Sequence, residues 1–309
     1  MLLCVTPNPA IDHSVWVPNM ERDGVNRAQR SLTCAGGKGT NVARAAKLLG
    51  HKSLCMGFAG GRHGALLEEL ARDDELDTDW TSILNETRTC TIVVDTERGE
   101  NTVINEPGPL VTEADWTRLI DLVIRRCEGA SGLCVCGSVP PGSPLPSYQH
   151  LLHSALQSGI PVWVDVSGSP LRVAANIHGL RIKINRNEAS TLLERSLESV
   201  GTVAEAANQL VRNGMRSCVV TLGSDGAILA SQSGSWLARP TPVTRVNAVG
   251  SGDSFLAGLA TAQIEGRSDA ESLAWGIAAG TANAASDGGA RFTRAKFDQV
   301  LDQVRVEPL

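Results

Sequence analysis

Short apolar runs alternate along the chain with longer segments of helical spacing. Residues 2–6, 54–59, 133–136, 162–166, 180–184 and 218–222 read as strands covered on both faces, as in a mainly parallel sheet. Residues 42–50 place apolar positions at helical spacing and close on Gly50, and 65–71 reads as another helix. Thr112 with Asp115 has the form of a capping box for a helix running to Arg126, and Thr202 with Glu205 repeats it for a helix ending at Gly214. Strands alternating with helices predict an α/β domain. Four stretches sit poorly in its sheet. Residues 11–17 alternate in polarity, so one face is expected to be wet, and 27–34, after Asp23-Gly24, reads as another exposed strand. Residues 88–94 and 102–104 complete the four as a hairpin about Glu97-Arg98-Gly99-Glu100; the acidic stretch 72–79 reads separately as a solvated loop or edge.

Composition narrows the function. With 309 residues, 42% hydrophobic and 20% charged, the chain can bury a large core as a single domain, 1–309, with at most a small appendage, and no repeat or linker divides it. A formal net charge of −5 argues against a general nucleic-acid or anionic-membrane surface, so any phosphate site has to be local. No apolar run approaches the roughly 18 residues of a membrane span, and the expected compartment is the cytoplasm. The eight cysteines are scattered, and Cys134-Val135-Cys136 has no second pair to complete a zinc site, so buried thiols are expected.

The chemistry concentrates in Asn247-Ala248-Val249-Gly250-Ser251-Gly252-Asp253-Ser254-Phe255, a glycine-rich turn entering an alanine-rich apolar segment. Gly250 and Gly252 let consecutive amides point inward at a helix start, where unsatisfied N–H groups and the positive dipole end attract anions. Asp253 inside such a pocket is either a helix cap or the proton acceptor for a hydroxyl that attacks a phosphate. A second glycine-rich helix entrance, Gly36-Gly37-Lys38-Gly39-Thr40-Asn41, lacks the Walker spacing because position 32 is Leu. Gly250-Ser251-Gly252 is followed by Phe255 where a dinucleotide fingerprint has its third glycine, which disfavours a dehydrogenase.

Polar groups also follow the strands, where α/β sheets place ligand contacts. Asp12 follows the first strand, as a turn-capping carboxylate or a ligand contact. Ser138 lies in the turn Gly137 to Gly142, and Asp165 precedes Ser167-Gly168. Asn185 and Glu188 are spaced for a helix cap or for one metal-bound water. Thr221-Leu222-Gly223-Ser224-Asp225-Gly226 is a hairpin or a turn that approaches a nucleotide closely.

Five stretches together resemble the ribokinase-like (PfkB) carbohydrate kinases, in the phosphosugar branch that holds 1-phosphofructokinase and tagatose-6-phosphate kinase. They are Thr6 to Asp12, Gly36 to Ala43, Asn105-Glu106-Pro107-Gly108-Pro109, Gly137 to Gly142 and Val249 to Ser254. The resemblance implies a three-layer α/β/α domain with a mainly parallel sheet and a small β lid at about 11–34 and 87–105. It implies ATP and magnesium as cofactors, Asp253 as catalytic base, and Gly250, Ser251 and Gly252 as the anion hole. It assigns the sugar to Asp12, Gly37, Asn41 and Ser138, and the sugar's own phosphate to Arg27, Lys38 and Arg88. The nucleotide falls to Thr221, Gly223, Gly226 and Asn283, and magnesium, through water, to Asn185 and Glu188. Two departures stand out: Ile184 replaces the family's proline, and Asn247 stands where many relatives have the Asp linked to a monovalent cation, so potassium activation is not expected. The implied reaction is phosphorylation of fructose 1-phosphate, with tagatose 6-phosphate and fructose 6-phosphate as rivals, by a homodimer joined through its lids. A non-catalytic sugar-phosphate-binding protein is the reading from another class, opposed by the intact Asp253.

Overall fold

The computed structural model describes residues 1–243, 246 and 249–309. Asn247, the departure noted above, lies outside the described residues. The chain opens with β1 (Leu2–Thr6), β2 (Ala10–Val17), β3 (Arg30–Gly36), α1 (Lys38–Leu48), β4 (Ser53–Gly60), α2 (Gly61–Asp73) and β5 (Asp77–Ile83). Then follow β6 (Arg88–Asp95), β7 (Glu100–Asn105), α3 (Glu113–Cys127), β8 (Gly132–Cys136), α4 (Leu145–Gln157), β9 (Val162–Asp165), α5 (Gly168–Ala174) and β10 (Arg181–Asn185). The last part holds α6 (Arg186–Leu193), α7 (Val200–Arg212), β11 (Ser217–Thr221), β12 (Ala227–Ser231), β13 (Gly234–Arg239), α8 (Ser251–Ile264), α9 (Asp269–Ala284), α10 (Arg294–Leu301) and β14 (Arg305–Pro308).

Among the described residues the strands form two sheets. The larger runs β14-β13-β12-β11-β10-β9-β8-β1-β4-β5, parallel from β11 to β5 and antiparallel beyond. The six runs expected to be doubly buried are the inner strands of its parallel part. One core cluster packs α3, α4 and α7 on one face, and a second packs α1, α8 and α9 on the other, which is the three-layer arrangement. The smaller sheet, β3-β2-β6-β7, collects the segments that sat poorly in a parallel sheet. Residues 72–79 end α2 and begin the edge strand β5. No helix among the described residues is long and apolar enough to cross a membrane.

Capping chemistry fixes several boundaries. Thr112 and Asp115 form the expected capping box of α3. The expected Thr202–Glu205 box is not formed: α7 begins earlier, and Ser199 caps it with Thr202 as the reciprocal partner. Glu205 pairs instead with Arg212 at 2.5 Å on the helix surface. A serine three residues before a threonine makes the same reciprocal bonds, so the Thr–Glu spacing alone was ambiguous.

The first strand meets the fourth so closely that residue 57 has to be glycine. Gly57 has φ +153°, and a Cβ there would lie 1.9 Å from the Thr6 carbonyl oxygen. Gly57→Ala is expected to lower the unfolding free energy by about 3 kcal/mol, from overpacking against backbone and a disfavoured φ. Urea denaturation measures this, and a loss below about 0.5 kcal/mol would contradict the contact.

Candidate active site

Helix α8 organises the site. Its N-cap is Gly250 in the left-handed region at φ +79°, and a Cβ there would meet the Ala290 nitrogen and the Gly289 Cα at 3.0 Å. Asn283, wholly buried, fastens this turn. Its Nδ2 donates to the Val249 carbonyl at 2.9 Å and to the Ser251 hydroxyl at 3.0 Å, while its Oδ1 accepts from the Ala290 N–H at 2.6 Å. Asn283, expected near the nucleotide, does not line the cavity beside this turn, because both ends of its amide are spent on the turn. Its neighbours Gly280, Thr281 and Ala284 line it instead.

Two cavities meet at the start of α8. The larger, about 580 Å³, is lined by Thr221, Gly223 and Gly226 on one side and by Ser251, Gly252 and Phe255 on the other. The turn after β11 is thus both a hairpin connection to β12 and a cavity wall. The smaller cavity, about 280 Å³, is lined by Asp12, Gly37, Lys38, Asn41, Arg88, Ser138 and Asp253. Strands β2, β6 and β7 of the second sheet form one of its walls. Asp253 thus faces the smaller cavity while the two residues before it face the larger.

Asp253 does not cap its helix: it is the third helical residue, and no side chain caps α8. Its carboxylate accepts the Asn41 amide at 2.8 Å. The orientation of that amide is dictated from behind, since Asn41 Oδ1 accepts from Arg44 Nη1 at 2.7 Å and leaves Nδ2 for Asp253. Arg44 is buried and also bonds the Ala35 carbonyl at 2.7 Å and Asp74 at 2.8 Å. Burial pushes the Asp253 carboxyl above the usual carboxylate range. Lys38 pulls it down, Asp165 raises it, and Lys183 and the Asn41 amide pull it down again.

A buried ion chain lies under the two cavities. Asp165, at the end of β9, accepts Lys38 Nζ on one oxygen at 2.7 Å and Lys183 Nζ on the other at 2.5 Å. Burial alone would raise the Asp165 carboxyl, but the two ammonium groups outweigh it and hold it below the usual range. Burial alone would likewise lower Lys38, but Asp165, Asp253 and Glu188 outweigh it and raise its pKa. A Cβ on Gly252 would sit 3.0 Å from Lys183 Nζ, so the ammonium group lies directly against the anion turn. Lys183 and Arg44 had no role in the sequence reading, which places Asp165 at a strand end without a partner. The available signals were a lysine between Ile182 and Ile184 in a buried strand, and an arginine among the alanines of α1.

The remaining candidates divide. Arg88 donates from Nη1 to the Glu106 carbonyl at 2.9 Å and from Nη2 to that of Asn8 at 3.0 Å, so it braces the second sheet while bringing its charge to the smaller cavity. Ser138 accepts from Asn8 Nδ2 at 3.2 Å. Arg27, expected on a strand, lies instead in the exposed loop before β3, away from both cavities, because pairing with β2 begins only at Arg30. Arg30 instead lies over Trp16 and pairs with Asp287. Asn185 and Glu188 form a capping box on α6: Asn185 accepts from the Glu188 N–H and Glu188 Oε2 from the Asn185 N–H, both at 2.9 Å. Among the described residues no three His, Cys, Asp or Glu side chains converge on a metal position. One Glu188 oxygen stays outside the cap, close enough to Lys38 to act on its charge, and this oxygen-donor set fits a magnesium ion held through water.

The chain matches the pfkB family carbohydrate kinases over residues 5–295. It belongs to that family. It is 29% identical to a 1-phosphofructokinase of Bacillus subtilis over the whole of both chains, and 29% identical to a tagatose-6-phosphate kinase of Staphylococcus epidermidis over 99% of each. The crystal structure of Escherichia coli phosphofructokinase-2 in complex with fructose-6-phosphate superposes with a TM-score of 0.91 at 28% identity, covering 98% of each chain. As a carbohydrate kinase of this family the chain is a phosphotransferase with an alcohol acceptor, and ATP is the co-substrate that the family implies.

Asp12 offers a pH test of the smaller cavity. Its carboxyl lies over Gly36, where any Cβ would come within 2.5 Å of its oxygens. Burial pushes its pKa up to about 6, against Arg44 and Arg88, while the Asp253 charge raises it further and the Gly37 amide lowers it. The folded protein therefore holds this proton more tightly than the unfolded chain. The stability that this brings is full below about pH 4 and is lost as pH rises through about 6. Asp12→Asn is expected to be more stable than the parent by on the order of 1 kcal/mol near pH 7.5, allowing for solvent screening of a partly exposed group, with the two converging near pH 4. Urea unfolding at both pH values checks this, and a gap independent of pH would contradict it.

Proposed function

We propose that this kinase transfers the γ-phosphoryl group of ATP to the 6-hydroxyl of fructose 1-phosphate, giving fructose 1,6-bisphosphate and ADP. The observation that carries the reading is the junction at α8, where the Asp253 carboxylate faces the polar cavity and Ser251 and Gly252 face the larger one. A sugar in the first and a nucleotide in the second would meet across that turn. Asp253 accepts the hydroxyl proton as the oxygen attacks phosphorus, and its raised basicity suits the task. The amides of Gly250 to Gly252 and the Lys183 ammonium group face the charge on the transferring phosphoryl group.

A phosphorylated sugar is supported by the cations of the polar cavity. Lys38 and Arg88 both line it, and Arg88 lies on the second sheet, which on this reading is a lid that positions the sugar by its phosphate and excludes water. Asp12 and Asn41 would take the sugar hydroxyls. The names of the two curated relatives support a sugar-phosphate acceptor and divide on the sugar. Asn185 and Glu188 would hold magnesium through water, and the ion would supply charge neutralisation of the transferring phosphate. The exposed Ile104 on the edge strand β7 supports a homodimer joined through the second sheets.

The test is a panel of fructose 1-phosphate, tagatose 6-phosphate, fructose 6-phosphate and fructose with ATP and magnesium. Fructose 1-phosphate is expected to give the highest kcat/KM and unphosphorylated fructose the lowest. Asp253→Asn, which keeps an acceptor for the Asn41 amide, should lower kcat about 100-fold or more with a much smaller effect on ATP affinity. A higher kcat/KM for either rival would reassign the substrate, and near-normal turnover in the variant would remove Asp253 as the base.

A further inference from the structure

At the opposite end of the sheet from Asp253, where β10 and β11 begin, a polar cleft of about 390 Å³ carries three arginines, Arg181, Arg216 and Arg267. Arg267 has a counter-charge in Glu265 at 2.9 Å and lies 4.3 Å from the Trp275 ring centroid. Among the described residues, neither Arg181 nor Arg216 has a carboxylate at ion-pair distance. Arg216 reaches the Gln232 side-chain oxygen at 3.4 Å, and Arg181 lies 5.3 Å from the Trp163 ring centroid. Burial, and then the Arg216 charge, weigh against protonated Arg181, with partial relief from Asp269. That carboxylate is already engaged: its Oδ2 accepts the hydroxyls of Ser231 and Ser233, each at 2.7 Å.

Two guanidinium groups without a carboxylate at ion-pair distance, held in one cleft, repel one another, and an anion between them removes that cost. Planar guanidinium forks suit phosphate oxygens, and the serine hydroxyls and Gln232 suit the hydroxyls of an ester. We propose that this cleft is a second binding site, separate from the kinase site, for a small phosphate-bearing anion held by Arg181 and Arg216. Its position links it to the chemistry. Arg181 and Lys183 lie two residues apart on one face of β10, and Trp163 and Asp165 do so on β9, with Arg181 paired to Trp163. Gln263 near the end of α8 accepts from Trp163 Nε1 at 2.8 Å, while Asp253 stands near its start, so an occupied cleft bears on β9, β10 and α8, the elements that carry Asp165, Lys183 and Asp253.

Calorimetric titration of inorganic phosphate into the intact protein and into R181Q/R216Q tests this. Phosphate entering the kinase site contributes equally to both, so the outcome does not depend on the reading of that site. The wild type is expected to show a binding event that the double variant weakens at least tenfold. R216Q alone, at an exposed position, should weaken it severalfold without disturbing the fold. Glycerol 3-phosphate replaces inorganic phosphate in a second arm, where tighter binding identifies an ester as the occupant and no gain identifies the free ion. Superimposable isotherms for the wild type and both variants would overturn the proposal.

Discussion

The buried Asp165 carboxylate between two lysines is the constraint on which the site depends. A carboxylate so far from water is tolerated only because Lys183 and Lys38 each bond one of its oxygens. Such a chain is weak support for stability, since desolvation consumes much of the Coulombic gain. Its consequence is electrostatic: three charges leave one net positive charge beneath the anion turn and beside Asp253. The two lysines oppose the desolvation that raises the Asp253 carboxyl, while the Asp165 charge adds to it.

Around that chain, backbone shape does the positioning. Gly250 in a left-handed conformation turns the chain into α8, and Asn283 locks the turn from behind. Close packing of α8 on α9 requires small residues, since a Cβ on Gly258 would lie 2.5 Å from the Trp275 carbonyl oxygen. Arg44 then sets the Asn41 amide, and that amide bonds the Asp253 carboxylate. Asn41 is set from within its own helix, while Asp253, Asp165 and Asn283 are held by partners on other elements, which makes the geometry a property of the three-layer fold.

Much of the fold was legible in the sequence, for a physical reason: a strand buried on both faces has to be apolar throughout, so the six inner strands announced themselves. The second sheet was visible as the residue of that rule, in stretches whose alternation suited a half-wet sheet. Asp253 was legible because a carboxylate in a glycine-rich helix start suited to anions would repel a phosphate bound there. Local sequence could not separate cap from base, since the distinction rests on Gly250 taking the N-cap position. Contacts between distant elements left little local trace. Asp165 and Lys183 are far apart in the chain, and only the parallel pairing of β9 with β10 brings them together. Asn283 carried the right signal, a polar residue in an apolar helix, but nothing local distinguished a ligand contact from a brace.

The most direct measurement of this account is the acidic limb of the kcat/KM profile, which reports the ionisation of the base in the free enzyme. Lys183→Met preserves much of the side-chain volume and removes one of the positive charges that hold Asp253 ionised, leaving the Asp165 charge that opposes it. If the ion chain sets the base, the acidic limb of the variant moves toward neutral pH by roughly one unit. A limb that stays where the wild type has it would contradict the claim that these buried charges tune Asp253.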